Sequence, residues 1–268
     1  MDLLRFVGAI GIIQFHCDVA GGWIGLAALP MFIMLLVYYG AGKPIAQQAR
    51  RLLLPWLAWS AIYACLKYTR SIINGAPLSS EFAPWMVLTG TSLHLWFLSF
   101  SFLFLLLCVL VPERTPTPLL TLVCVILSGA SLWVSNTANL LIPLVQWMPV
   151  IPAAFAGLLM QRFSHQTVVP AALGCSAIVA LFFGLDTMTP QLAIAGLAVA
   201  LAVAIPMRQT KLVDTLSGLS LGMYLVHPAV MVFILIFVAK DAVLFFPLVL
   251  LGSILITALL KRFAPAIV

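Results

Sequence analysis

Leu3-Leu4-Arg5-Phe6-Val7-Gly8-Ala9-Ile10-Gly11-Ile12-Ile13-Gln14-Phe15-His16 is an apolar run with one arginine near its start and one histidine at its end. Read as a helix, the step from Arg5 to His16 turns through about three revolutions plus 20°, which sets both side chains on one face, roughly 16 Å apart along the axis. Continued to Val19, such a run is long enough to span a bilayer, and ionisable groups held at membrane depth are costly and mark functional sites. The plainer alternative has Arg5 snorkelling to headgroups while His16 makes a single buried hydrogen bond.

The rest of the chain repeats that first run. Of 268 residues, 64% are hydrophobic and 7% charged, and mean hydropathy is +1.19. A water-soluble domain of this composition lacks the polar groups to cover its surface. The apolar runs are continuous over about twenty residues instead of alternating over about ten, so helices are expected in place of a barrel. Ten stretches qualify: Leu3 to Val19, Trp23 to Tyr39, Leu52 to Tyr68, Leu95 to Val111, Leu119 to Val134, Leu140 to Met160, Val168 to Gly184, Gln191 to Pro206, Ser217 to Val238 and Ala242 to Leu260. The expected fold is all-α, a polytopic membrane helix bundle of about ten transmembrane helices forming one integral-membrane domain over residues 1–268.

The formal charge is +6, and its distribution orients the bundle. With the N-terminus cytoplasmic, Lys43, Arg50, Arg51, Arg114, Arg162, Arg208, Lys211, Lys261 and Arg262 fall on inner loops or the inner tail, against Lys67, Arg70 and Lys240 outside. The positive-inside rule then places both termini in the cytoplasm. This accounts for the basic balance without a nucleic-acid partner. Cys17, Cys65, Cys108, Cys124 and Cys175 are odd in number, show no CxxC spacing and lie in or beside spans, so they read as packing residues with no metal site among them. Gln14, His16 and Asp18 stand where a signal peptide would carry small residues, so the first helix is expected to be permanent. The outer connection from Lys67 to Pro84 is the longest polar piece and offers shelter for a site.

Three further places concentrate polar groups. Lys43-Pro44-Ile45-Ala46-Gln47-Gln48-Ala49-Arg50-Arg51 is an inner-loop basic cluster, a topological anchor that also suits an acidic cytoplasmic ligand. His94-Leu95-Trp96-Phe97-Leu98 starts the fourth span on the side that His16 approaches, with Trp96 also readable as an interfacial belt residue. Ser220, Tyr224 and His227 follow i, i+4, i+7 spacing on one face of the ninth helix, where Pro228 frees the Tyr224 carbonyl from its helical bond. The alternative there is a small-residue helix contact with polar glue. His165 sits in an inner loop and suggests nothing.

Taken in order, Leu3-Leu4-Arg5 with ten residues before His16, Arg51-Leu52-Leu53-Leu54-Pro55, His94-Leu95-Trp96-Phe97-Leu98 and Leu219-Ser220-Leu221-Gly222-Met223-Tyr224-Leu225-Val226-His227-Pro228 resemble landmarks of acyltransferase family 3. The resemblance implies a bacterial inner-membrane, multi-pass protein that O-acylates a surface glycan, with acetyl as the default group. It implies that Arg5 and His16 are the essential pair and that Arg51 belongs to a cytoplasmic arginine motif for the acyl donor. Two positions depart from the pattern: Gln48 stands where a second arginine is usual, with Arg50 nearby, and Leu35-Leu36-Val37 replaces a Ser-Gly pair after Phe32.

The chemistry expected on that basis uses His16 as the base that takes the acceptor hydroxyl proton, since imidazole titrates near neutral pH. Acyl-CoA, a donor substrate and not a bound cofactor, would meet Arg5, Arg50 and Arg51 at the inner face. His94, Trp96, Tyr224, His227 and Ser220 would serve substrate binding, and the remaining partners are the glycan acceptor and the lipid bilayer. The competing class is a transporter or flippase using the same Arg and His groups as a polar pathway. It lacks the buried mid-membrane carboxylate that a proton-coupled carrier commonly uses. The acceptor and the oligomeric state stay open.

Overall fold

Every apolar stretch read above contains a helix, and no strand occurs among the described residues. The computed structural model describes residues 1–163, 166–205 and 210–268. His165, Pro206 and Arg208, named above, lie outside them. Among these residues the ten longer helices are α1 (Asp2–His16), α2 (Ala28–Gly40), α3 (Ile45–Asn74), α4 (Trp96–Val109), α5 (Thr117–Thr137), α6 (Ile151–Arg162), α7 (Val168–Phe182), α8 (Thr189–Ala204), α9 (Lys211–Ile234) and α10 (Phe245–Phe263).

Among the described residues five helical segments are long and apolar enough to cross a membrane: Gly22–Gly40, Thr117–Thr137, Leu144–Arg162, Lys211–Ile234 and Phe245–Phe263. Leu93–Val109, Val168–Phe182 and Thr189–Ala204 are apolar but shorter. Helices α5 and α10 bury only 22% of their most apolar windows, so Leu122, Val125 and Ile126 on one, and Leu251, Leu255 and Leu259 on the other, face outward. Helices apolar on their outer faces have lipid as their solvent, and the protein is a multi-pass membrane protein.

Helix α2 is the hub. Its Ile33, Met34, Leu35 and Val37 are almost fully buried, and it packs on α1, α4, α6 and α8. Small residues permit these approaches: a Cβ added at Gly157 of α6 would lie 2.3 Å from the Met34 carbonyl oxygen. Ahead of α2, the turn Gly22–Gly25 folds back on α1 so tightly that a Cβ at Gly25 would lie 2.1 Å from the Gly11 oxygen. Helix α1 otherwise rests on α9, and α9 on α10.

Side-chain bonds tie the helices together at two opposite ends. At the end where α1 begins, the Gln161 amide donates to the Ala41 carbonyl at 2.7 Å, Arg162 donates to Glu113 O at 3.0 Å, and Lys261 donates to Gly218 O at 3.0 Å. Lys43, Arg50, Arg51, Arg114, Lys211 and Arg262 flank the helix termini at this basic end. At the other end the Thr187 amide donates to Asn136 Oδ1 at 3.0 Å and Lys240 pairs with Asp18.

Candidate functional site

Helix α9 carries the central irregularity. Thr210 caps it, its hydroxyl accepting the Val213 amide at 3.3 Å, and Pro228 interrupts it further on. Proline offers no amide to the carbonyl four residues before it, so Tyr224 O is left free. The His227 ring occupies that carbonyl, with Nδ1 at 2.8 Å. A carbonyl only accepts, so the proton sits on Nδ1, and the buried Nε2 meets no partner. The next carbonyl, Leu225 O, accepts the Tyr63 hydroxyl of α3 at 2.8 Å. The proline thus converts one turn of α9 into a rigid mount for a histidine.

Around that mount three histidines meet. The His16 and His227 rings lie 5.0 Å apart between centroids, and His94 lies 5.8 Å from His227 and 5.1 Å from Tyr63. His94 Nδ1 is paired with the Ser92 hydroxyl at 2.9 Å, while its Nε2 is buried and unpartnered. The Tyr224 hydroxyl donates to the His94 backbone carbonyl. Three imidazoles thus come together from α1, the short 3-10 turn Leu93–Leu95 that leads into α4, and α9. Among the described residues no His, Cys, Asp and Glu grouping has the arrangement to hold a metal ion.

Two cavities approach this cluster from opposite ends. The first, about 340 Å³, opens at the basic end between Arg5, Lys43, Arg51, Ser220 and Asp2, with Phe32, Leu35 and Leu36 of α2 as its apolar wall. The second, about 270 Å³, is bordered at the other end by His16, His94, Trp96, Phe15 and Gln146. Among the described residues Tyr224 is the side chain that borders both. A further space of about 460 Å³, lined by Arg5, Arg50, Arg51 and Pro55, adjoins the first at the same arginines. Partial burial, and then the charge of Arg5, push the Arg51 guanidinium below its ordinary value. A bound anion would relieve that repulsion.

The residues singled out from sequence divide between these places. Arg5 and His16 line opposite cavities from one helix face, and Arg50 and Arg51 stand at the basic end. Trp96 is 6% exposed and lines the histidine-end cavity, so it is a wall and not a belt residue. Ser220 belongs to the basic cavity, with its hydroxyl donated to Ser217 O at 2.7 Å. His227 is fully buried and borders neither cavity; it backs the His16 ring instead. Gln48, at the position of the expected second arginine, is buried and donates to Gly40 O at 2.7 Å. It closes the C-terminal turn of α2 and presents no charge to a ligand. The outer connection after α3 lines neither cavity before Leu93.

Lys43, read from the sequence as part of the basic cluster, lines the basic cavity, and three participants escaped the sequence reading. Asp2 lies 3.7 Å from the Arg5 guanidinium and accepts the Ser217 hydroxyl at 3.2 Å; Arg5 in turn donates to Ser217 Oγ at 3.4 Å. Tyr63 props the α9 interruption, and Gln146 lines the histidine end. The available signal was polarity in apolar surroundings, as with Gln146 between Val145 and Trp147.

A family model described as an acyltransferase domain, that of acyltransferase family 3, matches residues 1–262. No curated protein and no solved structure matches the chain.

Proposed function

The chain belongs to acyltransferase family 3 and is a membrane acyltransferase, and we propose that it carries an acyl group, acetyl by preference, from cytoplasmic acyl-CoA to a hydroxyl of a cell-surface glycan in a bacterial inner membrane. The observation that carries this reading is the pair of cavities meeting at Tyr224, one edged by arginines and one by histidines. A thioester donor with an anionic nucleotide suits the first, and a neutral hydroxylated acceptor suits the second. The positive-inside rule supports the basic end as the cytoplasmic one, with both termini there and about ten crossings.

In the proposed reaction the acceptor hydroxyl loses its proton to His16 as its oxygen bonds to the acyl carbon. The C–S bond then breaks, and the proton passes from His16 to the departing thiolate, so the products are the O-acyl ester and free CoA. Arg5, Arg50 and Arg51, with Lys43, hold the donor phosphates. The roughly 16 Å from Arg5 to His16 along α1 is a distance that an extended pantetheine arm covers. Tyr224 and His94 border the space in which the carbonyl oxygen develops charge, and His227, fixed through Nδ1, keeps the His16 ring in register.

The experiment is ester-linked acetate on surface glycan from cells making the wild type, His16→Ala or neither, with membrane levels of both proteins measured. Ester confined to the wild type at equal protein levels is expected. Ester formation undiminished in His16→Ala would remove His16 from the chemistry.

A further inference from the structure

Away from the arginines and histidines lies a groove of about 490 Å³ that shares no lining residue with the cavities described above. Its floor is α6, at Ala156 and Leu159, and its walls are α5, at Ser128 and Gly129, and α7, at Ala172 and Ser176. Both wall helices pack on α6. Two hydroxyls at its border are turned back onto their own helices, Thr121 donating to Thr117 O at 2.9 Å and Ser176 to Leu173 O at 3.0 Å. Among the described residues no Asp, Glu, Lys or Arg lines it. A Cβ added at Gly129 would meet nothing within 4 Å, so the chain itself leaves this wall uncovered.

The shape of the groove selects its occupant. Along α5 it runs from Thr121 to Leu132 and along α7 from Val168 to Ala180, a rise of about 16–18 Å. Half of a hydrocarbon core roughly 30 Å thick is about 15 Å, so the groove is one leaflet deep and begins at the basic end. Spread over that length, its volume of about 490 Å³ gives a cross-section of about 30 Å². An α-helix about 10 Å across needs roughly 80 Å², whereas a methylene chain with carbons in contact at about 4 Å needs only about 20 Å². One acyl chain fits and a helix of a second copy does not. At the basic end, Phe163 borders the groove directly after Arg162. The bond from the Arg162 guanidinium to Glu113 O, at 3.0 Å, holds that cation between the end of α6 and the start of α5. Arg114 is next in sequence and exposed, as is the opposing Glu113 side chain, so the mouth carries a net positive charge. Among the described residues neither arginine has a carboxylate partner. Topology alone accounts for arginines at this end, but not for the groove that starts beneath them.

We propose that this groove holds one acyl chain of an anionic phospholipid from the leaflet at the basic end, with the phosphate and headgroup against Arg162 and Arg114. The chain supplies the dispersion contacts that α5 and α7 lack across the groove, and the two guanidiniums supply the preference for a negative headgroup. The site goes beyond acyl transfer and stands or falls apart from it, because it uses none of the residues assigned to the donor or the acceptor.

The test places the full chain in phosphatidylcholine nanodiscs in which about one lipid in twenty is a phosphatidylglycerol with a diazirine at mid-chain, or a phosphatidylcholine with the same chain. Photoadducts are mapped by mass spectrometry of peptides. Adducts should fall on the groove faces of α5 and α7 at least fivefold more often than on α10, whose Leu251, Leu255 and Leu259 also face lipid. Phosphatidylglycerol should label the groove at least fivefold more than phosphatidylcholine, the attraction of about one cation near the surface. Arg114→Gln combined with Arg162→Gln should erase that headgroup preference and leave both lipids labelling the groove. Gly129→Leu should fill the groove and lower its labelling at least fivefold; if that variant fails to fold, Ser176→Leu on the facing wall reads the same loss. Labelling spread evenly over α5, α7 and α10, equal labelling by the two headgroups in the wild type, a preference that survives loss of both arginines, or labelling unchanged by a filled groove would each overturn the proposal. Two chains per nanodisc, counted by mass, with the groove unlabelled would make a second copy the occupant and overturn it as well.

Discussion

Replacing Arg51 with methionine removes a forked cation from the basic end while keeping an unbranched side chain along α3. Among the described residues Arg51 has no ion-pair or hydrogen-bond partner within the chain, yet it borders both basic spaces. The substitution therefore breaks no hydrogen bond or ion pair of the fold, and methionine keeps much of the side chain's apolar packing, so the fold should keep its stability. What it removes, under the proposed function, is the bond to a donor phosphate, and a hydrogen bond to a charged group contributes about 1.5–3 kcal/mol. At about 1.4 kcal/mol per factor of ten, the donor KM should rise roughly 10- to 150-fold. Turnover at saturating donor should change by less than about threefold, because the lost bond holds ground state and transition state alike. Arg51→Lys keeps the charge without the fork and should fall between the two. The assay is release of free CoA from acetyl-CoA by protein in nanodiscs, titrated at two salt concentrations, since an electrostatic contribution weakens with salt. A donor KM within threefold of wild type, or a loss confined to kcat, would show that Arg51 does not hold the donor and would empty the argument for the basic end.

Other expectations follow from the same geometry. His16→Ala should lower transfer by about 10²- to 10⁴-fold at unchanged membrane abundance, the range for loss of a general base; quantified ester per molecule of enzyme checks it. Pro228→Ala returns an amide to α9 that competes with His227 Nδ1 for the Tyr224 carbonyl, so transfer should drop several-fold while the melting temperature holds or rises. If activity survives with the His227 ring signals unshifted in NMR of labelled protein, the mount has been misread. Tyr63→Phe deletes one interhelical bond to Leu225 O and should cost about 0.6 kcal/mol of stability, the average for polar bonds between membrane helices, measurable by denaturant titration in micelles. Gly25→Leu, with a Cβ only 2.1 Å from Gly11 O, should abolish the stable detergent-soluble protein, whereas Gly129→Leu, with nothing within 4 Å of its Cβ, should not.

Features set within a single helix were legible in the sequence. Arg5 and His16 share α1, and helical geometry alone relates them; the freed Tyr224 carbonyl follows from Pro228 in the same way. Contacts between helices were not. That His227 would back His16, while Trp96 and His94 formed the wall, depends on how α1, α4 and α9 rotate about their axes. In a helix apolar on all sides, the pattern of residues hardly constrains that rotation. Tyr63 was hidden among Trp56, Trp59 and Tyr68 for the same reason. Helix ends also moved: α3 runs from Ile45 to Asn74, well past its apolar centre, because polar residues at the interfaces continue a helix that hydropathy no longer marks. Gln48 shows the converse, a residue whose importance is structural at a position where the motif directed attention to charge.

Tyr224 lines both the basic cavity and the histidine-end cavity. The voltage across an energised membrane is worth about 2.3 kcal/mol for each elementary charge per 100 mV, and an open path through a bundle of this kind would dissipate it. The phenol, 4% exposed and tethered to the His94 carbonyl, is a packed, anchored ring at the wall the two cavities share, and there it serves as electrical insulation. In the proposed transfer the donor arm must displace this ring to bring its thioester from one cavity to the histidines of the other, so the path would open only while the arm fills it.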